Sequence, residues 1–285
     1  MQTRIYSPES ALKRPGEFFR AMWADIRASR ELAIALALRD IKVLYRQSML
    51  GYIWAFLPVL GTTGVFLFLR SGGALTTLDS GIAYPVYLLI GTILWQVFAD
   101  AVNGPLKVVT SSRAMIVKIN FPREALILAG VLITCFNFLV RLLVLIPALI
   151  FFTWKGSYTF VWESLYLFPL GVAAVILLGY SIGVLLTPIG MLYKDVGLGV
   201  QMVLTFWMFM TPVVLTIPDS GLLATVMRWN PVSSVLDTTR SWLVGIEPTF
   251  LLESLIVTGC SLFFLVIGWI LYRVALPHVI ARLGM

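Results

Sequence analysis

The chain has 285 residues, of which 59% are hydrophobic and 12% charged, and its net charge is +7. A soluble domain usually has about 45–50% apolar and about 25% charged residues, so a single soluble core is excluded and one membrane domain with polar ends fits. The positive charge does not point to nucleic acid, because the basic residues lie in short segments beside apolar runs.

Residues 1–49 read as a cytoplasmic N-terminal segment. Pro15 and Gly16 precede Phe18, Met22, Trp23 and Ile26 at helical spacing, and Ile34, Leu38, Ile41 and Tyr45 continue the period. Arg39, Lys42 and Arg46 fall on another face. An apolar stripe beside a basic one predicts a helix lying in the membrane interface, where cations meet anionic headgroups. Such a helix is either a plain anchor or the border of a lateral entrance. Charges throughout the segment leave no short apolar core before a cleavage site, so no signal peptide is expected.

About 20 apolar residues cross a hydrocarbon layer of about 30 Å. Uncharged stretches then predict six spans within a domain covering 50–273. The first three are Leu50 to Leu69, Ile82 to Ala99, and Ala125 to Phe152. The fourth lies between Glu163 and Lys194, the fifth between Asp195 and Asp219, and the sixth between Glu253 and Arg273. Residues 103–124 form a cytoplasmic loop and 274–285 a cytoplasmic tail. Pro218, Pro231 and Pro248 break the region 217–248 into short apolar pieces. Two half-helices that enter the membrane and return fit that pattern, with a surface loop as the alternative. Sixteen Lys and Arg fall on the side of the N-terminus and four on the other, with Arg141 inside a span. The positive-inside rule therefore places both termini in the cytoplasm.

The polar content of the spans is small. Asp100 is read as the boundary of span two, so no carboxylate is expected at mid-span. Arg141 shares a helical face with Asn137 and Thr134. It lies about 26 Å along its helix from Glu124. It either snorkels to the outer interface or faces a lumen or a neighbouring helix. Span one carries Tyr52, Phe56, Thr63 and Phe66 on roughly one face, and span five carries Gln201, Thr205, Phe206 and Phe209. Aromatic faces suit sugar rings, and they equally suit lipid.

No catalytic, cofactor-binding or metal-binding residues are expected. His278, the single histidine, reads as an interfacial tail residue, and Cys135 and Cys260 lie inside apolar runs. No nucleophile has an acid–base partner nearby, and no Gly-Lys pair provides a phosphate loop. A membrane-embedded glycosyl or acyl transferase and an ion-coupled transporter are disfavoured on these grounds.

Five motifs occur in order along the chain: RDIKVLYRQSMLGYIWAFLPVL (Arg39 to Leu60), INFPREAL (Ile119 to Leu126), LYKDVG (Leu192 to Gly197), TPVVL (Thr211 to Leu215) and WNPVSSVLDTTRSWLVG (Trp229 to Gly245). Together they resemble the type-2 ABC exporter permeases of cell-surface polysaccharides. The first motif matches in Leu50, Gly51, Trp54 and Pro58, whereas Lys194 stands where that family's pattern has arginine. The resemblance implies an all-α membrane protein of the bacterial inner membrane, with six spans, an N-terminal interfacial amphipathic helix and a re-entrant helical hairpin between spans five and six. It implies a homodimer with two copies of a separate ATPase that binds ATP and Mg, and a lipid-linked glycan as substrate. Ser111, Ser112, Arg113, Lys194 and Asp195 would dock the ATPase. Tyr52, Phe56, Thr63, Phe66, Gln201, Thr205, Phe206 and Phe209 would line the channel. Trp23, Arg39, Lys42 and Arg46 would form the cytoplasmic gate. Asn137 and Arg141 would be polar groups inside the membrane. A drug or lipid exporter on the same fold is the alternative.

Overall fold

A computed structural model of the protein describes residues 15–46, 53–73, 82–118, 121–156, 158, 161–193 and 195–283. Tyr52, Lys194 and the side chain of Arg46 lie outside the described residues. The chain runs α1 (Pro15–Arg46), α2 (Ile53–Ser71), α3 (Tyr84–Ser111), α4 (Arg113–Lys118), α5 (Glu124–Trp154), α6 (Trp162–Leu165), α7 (Phe168–Leu192), α8 (Asp195–Trp207), α9 (Leu222–Trp229), α10 (Pro231–Val244) and α11 (Leu251–Leu283). No strand occurs among the described residues.

Four helical stretches are long and apolar enough to cross a membrane: Tyr84–Ser111, Glu124–Trp154, Trp162–Leu192 and Leu251–Val279. They correspond to expected spans two, three, four and six. The expected spans one and five correspond to shorter apolar helices, Phe56–Ser71 and Asp195–Met210. The second of these ends in a 3-10 turn at Met208–Met210, and the chain from Thr211 to Ser220 is irregular. Pro212 contributes there, because it has no N–H to continue a helix.

Helix α3 sits at the centre. Of its most apolar stretch 78% is buried, against 22% for α5 and 17% for α11. A helix that is apolar all round and covered all round is a core helix. The outer two expose Leu139, Leu143 and Ile150 on α5 and Leu252, Leu255 and Phe263 on α11. An apolar surface of that extent suits lipid rather than water. Helix α3 packs on α5 and α7, α7 on α11, and α1 on α5. Gly179 and Gly183, four apart on α7, bring α7 against the backbone of α3 at Phe98, Ala101 and Val102. This small-xxx-small spacing is a packing device of membrane helices.

The two ends of the bundle differ. One end, here called the basic end, holds the α3–α4 junction, the start of α5 and the end of α11. The far end holds α6, α9 and α10, and there Trp154, Trp162, Tyr166 and Trp229 are 73–85% exposed. Exposed Trp and Tyr suit a membrane–water interface.

Candidate functional site

Four places in this bundle carry polar chemistry, and the first lies between α3 and α5. Arg141 is 5% exposed, and its Nη2 lies 2.8 Å from Asp100 Oδ2. Asn137 Nδ2 donates to the same oxygen at 3.1 Å. Asn137 and Arg141 are one helical turn apart, so a single carboxylate on the facing helix reaches both. The expectation that no carboxylate sits at mid-span is therefore corrected. Asp100 does not end its helix, which continues through Pro105 to Ser111. A charge can remain inside an apolar bundle when a partner of opposite sign neutralises it. The snorkelling alternative for Arg141 gives way to an inter-helix ion pair. Thr134 takes no part, since its Oγ1 donates to the Gly130 carbonyl.

The second place is the basic end. The stretch 103–124, expected as a docking loop that holds a helix, contains the end of α3 followed by α4. Ser111 is exposed, Arg113 half-buried and Asp195 exposed. Ser112 is only 2% exposed, so this candidate docking residue is turned into the bundle. Its Oγ and the Nε and Nη2 of Arg113 have no protein hydrogen-bond partner. Close by, Arg273 of α11 pairs with Asp25 of α1 at 2.7 Å and with Glu124 of α5 at 3.0 Å. Tyr272 donates to the Arg123 carbonyl at 3.4 Å. One guanidinium thus joins three helices.

Helix α1 is continuous, and the face it buries in the bundle consists mostly of small residues. Met22, Asp25, Ser29, Ala33, Leu36 and Ala37 face inward, whereas Trp23 is 61% exposed and Leu38 51%. Small residues let α1 lie close on α5, and the bulky ones are left for the surroundings. Arg39 is exposed and pairs with its neighbour Asp40, and Lys42 is exposed.

The third place is the expected channel lining, which divides in two. Thr63 is buried and shares a hydrogen bond with Thr92 at 3.3 Å, so it joins α2 to α3. Phe56 and Phe66 are half-buried, and Phe66 meets Phe209 edge-on at 6.2 Å. Gln201, Thr205, Phe206 and Phe209 are exposed together, and Thr205 satisfies its hydroxyl on the Gln201 carbonyl. Helix α8 and the turn after it are thus largely open, with aromatic and polar groups among their exposed residues.

The fourth place, at the far end, was not foreseen. Arg240 of α10 is 2% exposed. Its Nη2 donates to the Pro212 carbonyl at 2.6 Å, and its guanidinium lies 3.7 Å from the centre of the Tyr87 ring. Tyr87 donates to the same carbonyl at 2.8 Å. Gly91 makes this possible, because a Cβ there would overlap the guanidinium. Asn230 caps α10 through a bond from Val232 N at 3.1 Å. Its amide also accepts from Trp207 and donates to Met210, so α10 is fastened to the end of α8. Burial raises the Asp237 carboxyl above its ordinary value, and Arg240 opposes that shift. Sequence signals existed for both missed groups. A buried Arg141 calls for a carboxylate, and an arginine among prolines and small residues is out of place on a lipid surface.

Among the described residues no cluster of three or more His, Cys, Asp or Glu is placed to hold a metal ion. What the fold and these sites define is a multi-pass helical membrane protein, with lipid-facing outer helices, exposed polar and aromatic groups on α8, and charged groups tying its helices together. No family model matches the chain. It is similar to the O-antigen export system permease protein RfbA of Myxococcus xanthus, 26% identical over 216 residues, covering 74% of this chain and 80% of that protein. It is also similar to two proteins of the same name from Klebsiella pneumoniae. One is 22% identical over 213 residues, covering 74% of this chain and 79% of that protein. The other is 21% identical over 233 residues, covering 80% and 86%. These similarities point the same way as the motifs, which resemble the type-2 ABC exporter permeases of cell-surface polysaccharides.

Proposed function

We propose that the protein is the transmembrane permease subunit of an ATP-driven exporter that moves a lipid-linked polysaccharide, of O-antigen, capsule or teichoic-acid type, across the bacterial inner membrane. The observation that carries this reading is the similarity, over about three quarters of the chain, to permeases named for O-antigen export. The chain works as a homodimer with two copies of a separate ATPase, which supplies ATP and Mg. Each subunit contributes six spans, the four long helices and the shorter α2 and α8, with both termini in the cytoplasm. Helices α9 and α10 form the re-entrant pair at the external face.

The residues act as follows. Ser111, Arg113 and Asp195, with Lys194, offer the ATPase a polar surface at the basic end. Movement there reaches α1 through Arg273, which holds Asp25 and Glu124 in one network. The entrance helix, with Trp23 and Lys42 on its free side, thus shifts together with α5 and α11. The exposed face of α8 lines the path, with Phe206 and Phe209 for sugar faces and Gln201 and Thr205 for hydroxyls. ATP drives opening only through contacts that differ between the open and closed states.

The test is to purify the tagged full chain from its own cells in mild detergent. A stoichiometric ATP-binding subunit is expected, and it should be lost when Ser111 and Arg113 are both replaced with glutamate. An intact permease that purifies with no nucleotide-binding subunit would contradict the reading.

A further inference from the structure

At the far end a cavity of about 280 Å³ opens between the start of α3, α10 and the turn that follows it. Tyr87, Arg228, Asp237, Arg240 and Glu247 contribute its polar walls, and Ile246 and Phe250 part of its apolar ones. We propose that this cavity is a binding site for one neutral, hydroxyl-bearing ring of the exported glycan, taken up as the chain leaves the α8 face. The proposal rests on the export reading above and adds a place where the substrate is held.

Two observations carry it. The first is charge. Two guanidinium groups face two carboxylates, so the walls have no net charge and favour neither an anion nor a cation. They do offer donors and acceptors side by side. A sugar hydroxyl accepts from a guanidinium and donates to a carboxylate at once. The second is size. Ligand sites commonly measure about 300–1,000 Å³, so this cavity takes one ring and not a folded length of polymer.

The geometry also limits how the ring is held. One face of Tyr87 is covered by Arg240 at 3.7 Å, so recognition runs through hydrogen bonds rather than through stacking on that face. Arg240 also holds the Pro212 carbonyl, in the chain that leaves α8. A ring bound here therefore sits one residue contact away from the end of the proposed path. Such a site gives the chain a resting point between power strokes.

The test uses the full-length protein in its own cells. A photoreactive amino acid is placed at Thr249, which lines the cavity and is exposed, and separately at Gln201 on the α8 face. After illumination the protein is purified and probed for covalently attached glycan. The proposal expects glycan at both positions. It expects Asp237→Asn to lower the Thr249 adduct by about tenfold, as for loss of one hydrogen bond to a charged group, with the Gln201 adduct kept. Asp237→Glu should restore the Thr249 adduct. Glycan at Gln201 with none at Thr249 would overturn the site and leave the export reading standing. A Thr249 adduct indifferent to Asp237→Asn, or one competed away by inorganic phosphate, would also overturn it. Silence at both positions would overturn the export reading and this site with it.

Discussion

Replacing Asp100 with alanine is expected to destabilise the bundle by about 3–5 kcal/mol, the usual cost of stranding one member of a buried ion pair. Arg141 would keep its charge on a helix where only 5% of the residue meets solvent. It would have lost the oxygen 2.8 Å from its Nη2, and Asn137 would have lost the same acceptor. The lower end of the range is expected, because the Asp100 side chain is 21% exposed and water can enter beside it. Arg141→Ala should cost a similar amount for the mirror-image reason. The double variant Asp100→Leu with Arg141→Met should cost much less than the two single changes together. Removing both charges also removes both desolvation penalties. Thermal unfolding in detergent, followed by tryptophan fluorescence, measures all three. Single variants as stable as the parent would show that the pair is not a structural tie.

The second large effect is expected at Gly183. A Cβ there would overlap the Val102 carbonyl and lie 3.1 Å from the Ala101 carbonyl, both on α3. Neither obstacle is a side chain that can rotate aside, so α3 and α7 must move apart. Overpacking of this kind costs about 1–3 kcal/mol for a single added methyl. It would also open the contact made by the most buried helix. Gly259 on α11 is the matched control, because a Cβ there meets nothing within 4 Å. There alanine removes the glycine penalty of the helix and should stabilise by up to about 1 kcal/mol. Gly183→Ala and Gly259→Ala should therefore move the unfolding temperature in opposite directions. Equal effects would mean that α3 and α7 do not pack as described.

The longest apolar runs were the most legible. Glu163, Glu253 and Arg273 bracket long apolar runs, and long helices fill these runs. Charge misled at Asp100. A charge was read as the end of a span, whereas its partner on the facing helix lets it stay inside. A pairing across 41 positions leaves no trace in local hydropathy. Helix α1 is a helix as expected, and Trp23, Ile34 and Leu38 of its large apolar stripe are exposed. What its spacing did not reveal is the opposite face, where Ser29, Ala33 and Ala37 pack closely on α5. The prolines correctly broke up the region after α8. Asn230 and Pro231 separate α9 from α10 by the ordinary preference for a capping amide before a proline at the first helical position. The role of Arg240 in that region was not legible. It depends on Gly91 leaving room and on a carbonyl 28 residues earlier in the chain. Of the candidate lining residues, Gln201, Thr205, Phe206 and Phe209 are exposed. The burial of Thr63 was not legible, because it depends on Thr92 of another helix.

The most direct test of the central claim is to delete the coding sequence for this chain in its own cells and to follow the surface glycan. The account predicts that surface glycan disappears, that lipid-linked glycan accumulates on the cytoplasmic face of the inner membrane, and that the full chain supplied in trans restores export. Unchanged surface glycan with no accumulation inside would contradict it.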